Sequence, residues 1–265
     1  MQMNRNRWIM IGAIVVILVA ASIYWYYTTN NSGNSSRVAH INQPVPQSQM
    51  SQLQALALNN TLANKIGYGL VENPPQQTGS NVIMMVNGKP AVVYIGAEYC
   101  PFCAVTRWGF ILALMRFGTL SSLHYMISNL SDYAPGTATF TFYNSSYQSQ
   151  YISFISAEVE TTQETPLQQI TPLENAVQHK YSNGGIPFID FGNHSIQSET
   201  IISPVLINAY NWTQIVAMLG QSNSTVSQAI IGSANEFTAQ ICAITNYTPS
   251  STCSQPYVKQ LLIMP

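Results

Sequence analysis

The chain reads as an α/β protein carried on an N-terminal membrane anchor, and three stretches lead to that reading. Residues 8–27, WIMIGAIVVILVAASIYWYY, hold no charge. Residues 82–96, VIMMVNGKPAVVYIG, hold two β-prone runs around an Asn-Gly pair. Residues 106–117, TRWGFILALMRF, follow as a strongly apolar, helix-forming run. A strand that leads directly into a helix is the basic α/β unit.

The anchor comes first. Twenty helical residues rise about 30 Å, the thickness of a bilayer's hydrocarbon core. Arg5 and Arg7 precede the run, and no basic residue follows until Arg37. The positive-inside rule then gives a cytoplasmic tail at 1–7, a transmembrane segment at 8–27 and an extracytoplasmic remainder. Tyr24, Trp25, Tyr26 and Tyr27 suit the outer interface. The alternative is a cleaved signal peptide with Val19-Ala20-Ala21 as its small-residue site, which exports the same remainder. The expected location is therefore the cell membrane, single-pass, with the N-terminus cytoplasmic and the lipid bilayer contacted through 8–27. Residues 28–49 are polar with two prolines and read as a linker. Residues 50–265 read as one extracytoplasmic domain.

Composition narrows the function classes. The chain has 265 residues and a net charge of -1, so it lacks the basic footprint of a nucleic-acid binder. Charged residues make up 7%, against about 25% in an average soluble protein. An acidic medium explains such a surface, because below about pH 4 carboxylates protonate and balanced ion pairs become a self-repelling cation. A glycan coat is a compatible explanation. Asn-x-Ser/Thr sequons stand at Asn30, Asn34, Asn59, Asn129, Asn144, Asn193, Asn211, Asn223 and Asn246.

Within the domain, Leu53, Leu56, Ala57 and Leu62 predict one amphipathic helix from Met50 to Ile66. Asn87-Gly88 predicts a tight hairpin, and AVVYI after it an interior strand, apolar on both faces. The helix after that strand is expected to close with Arg116 in its last turn and Gly118 at its C-cap. LHYMIS (123–128), TFTFY (139–143) and YISFIS (151–156) read as strands, and PLENAVQHKY (172–181) as a short helix. GGIPFIDFGN (184–193) reads as a strand opened by glycines and Pro187, and 224–244 as an amphipathic helix.

The chemistry concentrates where the interior strand meets the apolar helix. Cys100-Pro101-Phe102-Cys103 occupies that junction. Thiol–disulfide exchange needs a thiolate, a second thiol to resolve the mixed disulfide, and access for a partner. At a helix start, unpaired N–H groups and the dipole stabilise a Cys100 thiolate. Cys103 lies one turn on. Pro101 suits the first helical position because it has no N–H to leave unpaired. Phe102 offers neither charge nor hydrogen bond and should not depress the pKa as a histidine there could, and Pro101 and Phe102 together are the expected tuning residues. A metal pair or an inert structural pair would use the same spacing.

With a strand before it, a helix after it and Ile186-Pro187 opening a later strand, AEYCPFC resembles the active-site entry of the thioredoxin superfamily. The resemblance implies a thioredoxin-like fold, with an insertion of helix and strands between the Cys-x-x-Cys helix and the cis-proline strand. It implies that Ile186-Pro187 is cis and shapes the substrate-docking surface, that Cys100 attacks and that Cys103 resolves. Three stretches, NGKPAVVYIGAEYCPFCAVTRWGF, GGIPFIDFGN and ANEFTAQICAIT…TPSSTC, resemble an uncharacterised family of membrane-anchored, thioredoxin-like proteins from thermoacidophilic archaea. That family brings no established activity; the thioredoxin resemblance implies thiol–disulfide exchange, here on exported cysteine-containing proteins, and the exported location favours an oxidase or isomerase over a reductase. An unidentified membrane redox partner would complete the cycle, and the centre's own disulfide would be the sole redox group, with no other cofactor and no metal. The chain departs from thioredoxins at Tyr94, where they carry a buried acid; Glu98 is the nearest carboxyl in sequence.

The remaining candidates divide more evenly. Cys242 and Cys253 flank a polar turn, and a bridge between them would stabilise by about 3 kcal/mol. A second redox pair or a four-cysteine zinc site are the other readings. His40, His124, His179 and His194 are scattered, and Arg107 and Trp108 read as helix packing. Two rival functions use the same residues: an extracytoplasmic copper- or zinc-handling protein, and a non-catalytic surface protein that retains the fold.

Overall fold

The computed structural model describes residues 15–22 and 37–262. The chain divides into two compact units, Met1–His40 and Ile41–Pro265. In the first unit, residues 15–22 are helical. The rest of the expected membrane segment 8–27, and the tail 1–7, lie outside the described residues. Among the described residues no helix is long and apolar enough to cross a membrane.

The second unit begins inside the stretch expected as a linker. Asn42 N–H donates to Tyr125 O at 2.9 Å, Pro44 bridges to His124, and Val45 is buried. Two helices follow, α1 (Gln47–Ala57) and α2 (Asn60–Ile66), where the sequence predicted one. The reason is local: the Asn59 side chain accepts from Leu62 N–H and caps a new helix instead of extending the old one.

The sheet is mixed and centred on β3 (Lys89–Gly96). β2 (Met85–Val86) reaches β3 through the expected hairpin, with Asn87 and Gly88 at φ 52° and 74°. Both positive angles fit a turn matched to strand twist. β8 (Ser153–Glu158) runs parallel to β3, and β9 (Phe188–Phe191) pairs with it antiparallel on the other side. β10 (Ser195–Gln197) and then β1 (Gln76–Gln77) extend that edge. Two smaller antiparallel pairs lie between α3 (Pro101–Met115) and β8 in sequence: β4 (Gly118–Ser121) with β7 (Ser146–Ser149), and β5 (His124–Ile127) with β6 (Ala138–Thr141).

The pleat of β3 explains the layers. Val92 and Tyr94 join the large core that holds α3 (Pro101–Met115) and α6 (Thr225–Ile244). Val93 and Ile95 face the other way, into a smaller core under Val177 and Tyr181 of α4 (Pro172–Ser182). A strand covered on both faces needs the continuous apolar run that AVVYI supplies. The α3 helix is buried nearly all round, which fits its unbroken apolar composition. Its closest neighbour is α6: a Cβ on Gly109 would stand 2.6 Å from Ser233 Cβ, so only glycine permits this approach.

The end of α3 differs from expectation. Arg116 is the C-cap residue itself, and its guanidinium donates to Ala57 O, Ala234 O and Thr238 Oγ1. Gly118 is the first residue of β4, not a C-cap; its side-chain space is taken by Gln148 O. The chain closes with α5 (Trp212–Leu219), α7 (Ser250–Cys253) and α8 (Pro256–Leu261). A Cys242–Cys253 disulfide ties α6 to α7, as the staple reading expected.

Candidate active site at the head of helix α3

β3 ends at Gly96, and three residues carry the chain to Cys100. That short loop is held along its length. Val159 N–H donates to Gly96 O, Glu98 N–H to Glu160 O, and Asn129 N–H to Tyr99 O. Cys100 is the N-cap of α3 with extended backbone (φ -74°, ψ 119°), and Pro101 takes the first turn as expected. Cys103 N–H donates to Cys100 Sγ at 3.2 Å. Thus the sulfur occupies the place that a Ser or Asp oxygen fills at an ordinary helix start.

The two thiols are free, close and unlike. Cys100 is 4% exposed and Cys103 fully buried. The Cys100 thiol is lowered from its ordinary range by a hydrogen bond from the Cys103 side chain, by the Cys103 and Phe102 N–H groups and by the Arg107 charge, against burial. The Cys103 thiol is pushed well up, first by burial and then by the Cys100 sulfur beside it. One thiol is shifted toward the thiolate and its neighbour toward the protonated form. That is the division of labour exchange requires.

Arg107, expected only to pack, lies one turn beyond Cys103 as half of a buried ion pair. Its Nε donates to Glu158 Oε1 at 2.9 Å, its Nη2 to Glu158 Oε2 at 2.6 Å and to Ala97 O at 2.6 Å. Both side chains are completely buried. Glu158 ends β8 in register with Gly96, so the pair joins α3 to the strand end that delivers the cysteines. The guanidinium carbon also stands 5.9 Å from the Tyr94 ring centroid. A signal for this existed: Arg107 is the one charge between Cys103 and Met115. Nothing in the sequence named its partner 51 residues away.

Tyr94 and Glu98 complete the surroundings. The Tyr94 hydroxyl fills the space above Gly96, where a Cβ would stand 2.1 Å away, and has no hydrogen-bond partner among the described residues. Burial raises its phenol well above the ordinary range, so it stays protonated. Glu98 is 5% exposed and accepts from Thr141 Oγ1 at 2.8 Å; burial raises its carboxyl, partly offset by that bond and by Arg107.

The outer rim is apolar. Tyr99, Phe102, Val159 and Ile186 pack around Ala97 and the cysteines. Tyr133, 55% exposed, stacks on Phe102 with ring centroids 5.8 Å apart. Ile186-Pro187 is a cis peptide, and Ile186 reaches the cysteine cluster. The structure therefore gathers Cys100, Pro101, Phe102, Cys103 and Ile186 in one place. Cys242 and Cys253 pair with each other elsewhere. Among the described residues no set of three or more His, Cys, Asp or Glu side chains is placed to hold a metal ion.

No curated protein and no solved structure matches the chain. Residues 77–184 match the family described as a domain of unknown function (DUF929). That match runs from within β1 to the end of α4, so it takes in both free cysteines, Arg107 and Glu158 and stops short of Ile186-Pro187.

Proposed function

We propose that this protein is a thiol–disulfide oxidoreductase of thioredoxin-like fold that acts on exported cysteine-containing proteins. The observation that carries the proposal is the unlike cysteine pair at the head of α3: a lowered thiol capping the helix above a buried, raised one. The surrounding topology supports it. A central strand leads into the Cys-x-x-Cys helix, a parallel strand lies on one side, and the strand opened by cis-Pro187 pairs on the other.

The residues divide the chemistry as follows. In the oxidative direction, a substrate thiolate attacks Sγ of Cys100 in the Cys100–Cys103 disulfide. The Cys100–Cys103 bond breaks, a mixed disulfide forms at Cys100, and Cys103 leaves with the electron pair and takes a proton. A second substrate thiolate attacks the substrate sulfur of that mixed disulfide and expels the Cys100 thiolate. The substrate loses two electrons and two protons, and a disulfide- or quinone-linked membrane partner restores the centre's disulfide. In isomerisation the Cys100 thiolate attacks a substrate disulfide and is later released unchanged, so no outside oxidant is consumed. The helix start, the Cys103 N–H and the Arg107 charge stabilise the leaving Cys100 thiolate.

Position relative to the membrane belongs to the same reading. The uncharged run 8–27 supplies a bilayer anchor, and the Cys242–Cys253 disulfide suits an oxidising exterior. The test is mixed-disulfide trapping. The Cys103→Ala variant, expressed in its host, is expected to accumulate exported proteins cross-linked to Cys100. Recovery of the same proteins from a Cys100→Ala, Cys103→Ala control would refute the reading.

A further inference from the structure

A second concave site lies away from the cysteines and shares no residue with their cluster. It is a cleft of about 830 Å³ between α6, β1 and the β9–β10 turn, within the size range of small-molecule sites. Glu236 and Gln240 of α6 line it, one helical turn apart and therefore side by side. Both are almost wholly buried, at 3% and 4% exposure. Gln240 Oε1 is committed, accepting from Ser195 Oγ at 2.7 Å and Gln77 Nε2 at 3.3 Å. Its amide nitrogen and the whole Glu236 carboxyl have no hydrogen-bond partner among the described residues. Burial alone raises that carboxyl to about 7. Neither group is among the fully enclosed unpaired polar atoms of the described residues, so both open onto the cleft, where a ligand can meet them.

We infer that this cleft binds a neutral saccharide, with adjacent hydroxyls held by the Glu236 carboxyl and the Gln240 amide. Other ligand chemistries fit the lining less well. No lysine or arginine lines the cleft, which disfavours phosphate, sulfate and carboxylate ligands. Glu72 and His194, its other acid and base, stand among Asn73, Gln76 and Gln77, so the wall is rich in amides. No metal-binding set exists among the described residues. An ammonium would satisfy Glu236 only when it is ionised. A hydroxyl donates to the carboxylate and accepts from the acid, so it serves on both sides of pH 7. Tyr68 and Tyr247 add ring surface to the lining for the apolar faces of a sugar ring.

The test uses the full chain with glutamate labelled at its carboxyl carbon. It is titrated with maltose and with methyl α-D-mannopyranoside, and separately with putrescine as a cationic counter-probe. Saturable movement of the Glu236 resonance by a saccharide below about 10 mM is expected. Glu236→Leu should weaken that binding by about tenfold, whereas Glu236→Gln, which still offers a hydrogen-bond acceptor, should keep most of it. A Glu236 resonance that no saccharide moves overturns the inference, as does movement by putrescine alone. Equal loss in the Gln and Leu variants also overturns it, because the charge would then be what matters. The labelled wild-type titration decides the question even if the Leu variant fails to fold.

Discussion

Acidification should make this fold more stable, not less. Asp190 on β9 is fully buried; its Oδ1 accepts from Asn193 N–H at 2.6 Å, and its Oδ2 has no partner among the described residues. Burial raises its carboxyl to about 6, against the opposing Asn193 bond and the Lys180 charge. Glu236 is raised to about 7 by burial alone. A carboxyl whose folded value exceeds its unfolded value binds more protons in the native state between the two. Stability therefore falls as pH rises through that window. From ordinary values of 3.8 and 4.5, moving from pH 4 to pH 7 costs about 2 kcal/mol at Asp190 and about 3 kcal/mol at Glu236, as upper figures. Urea unfolding of the full chain at pH 4, 5, 6 and 7 measures the slope. Asp190→Asn and Glu236→Gln each imitate the protonated acid, so each should stabilise at pH 7, leave pH 4 nearly unchanged and flatten the profile. A wild-type stability that drops from pH 7 to pH 4, or variants with an unaltered slope, would refute the reasoning. The direction also agrees with a surface that carries almost no charge.

Other outcomes follow from the same geometry. Arg107→Met and Glu158→Gln should each destabilise by about 3–5 kcal/mol, and the double variant by far less, because a single change leaves a buried charge unpaired; a denaturation double-mutant cycle reads the coupling. In the double variant the pH midpoint for Cys100 alkylation should rise, since the Arg107 charge is gone; an unchanged midpoint would reduce the pair to a structural clamp. Cys242→Ser with Cys253→Ser should cost on the order of 3 kcal/mol and leave exchange at Cys100 intact, as checked by unfolding and by disulfide exchange on one preparation. Tyr133→Ala should strip the ring that stacks on Phe102 and change the Michaelis constant for a protein substrate more than that for a small disulfide.

The features legible in the sequence were those written in local patterns. Asn87-Gly88 fixes a hairpin from two residues, and the apolar run of β3 announces a strand covered on both faces. The Cys100–Cys103 spacing, with Pro101 after the first cysteine, marks a helix start. What stayed hidden depends on contacts between distant segments. Glu158 becomes a site residue only because β8 lies parallel to β3 in one register, and that pairing leaves no local trace. Asp190 and Glu236 look like ordinary surface acids in a polar sequence until the sheet and α6 bury them. The division of Met50–Ile66 into two helices turned on one side chain: Asn59 competes as a cap, and an apolar period of 3.6 cannot register a local hydrogen bond. Gly118 departs from its sequence expectation for the opposite reason. Glycine after a helix commonly marks a C-cap, but here it makes room for the β7 backbone.

The most direct test of the central claim is exchange with a scrambled-disulfide protein substrate by the full chain in vitro. Catalysed refolding should disappear with Cys100→Ser, and Cys103→Ser should stall as a mixed disulfide at Cys100. Refolding by the Cys100→Ser variant at the wild-type rate would contradict the account.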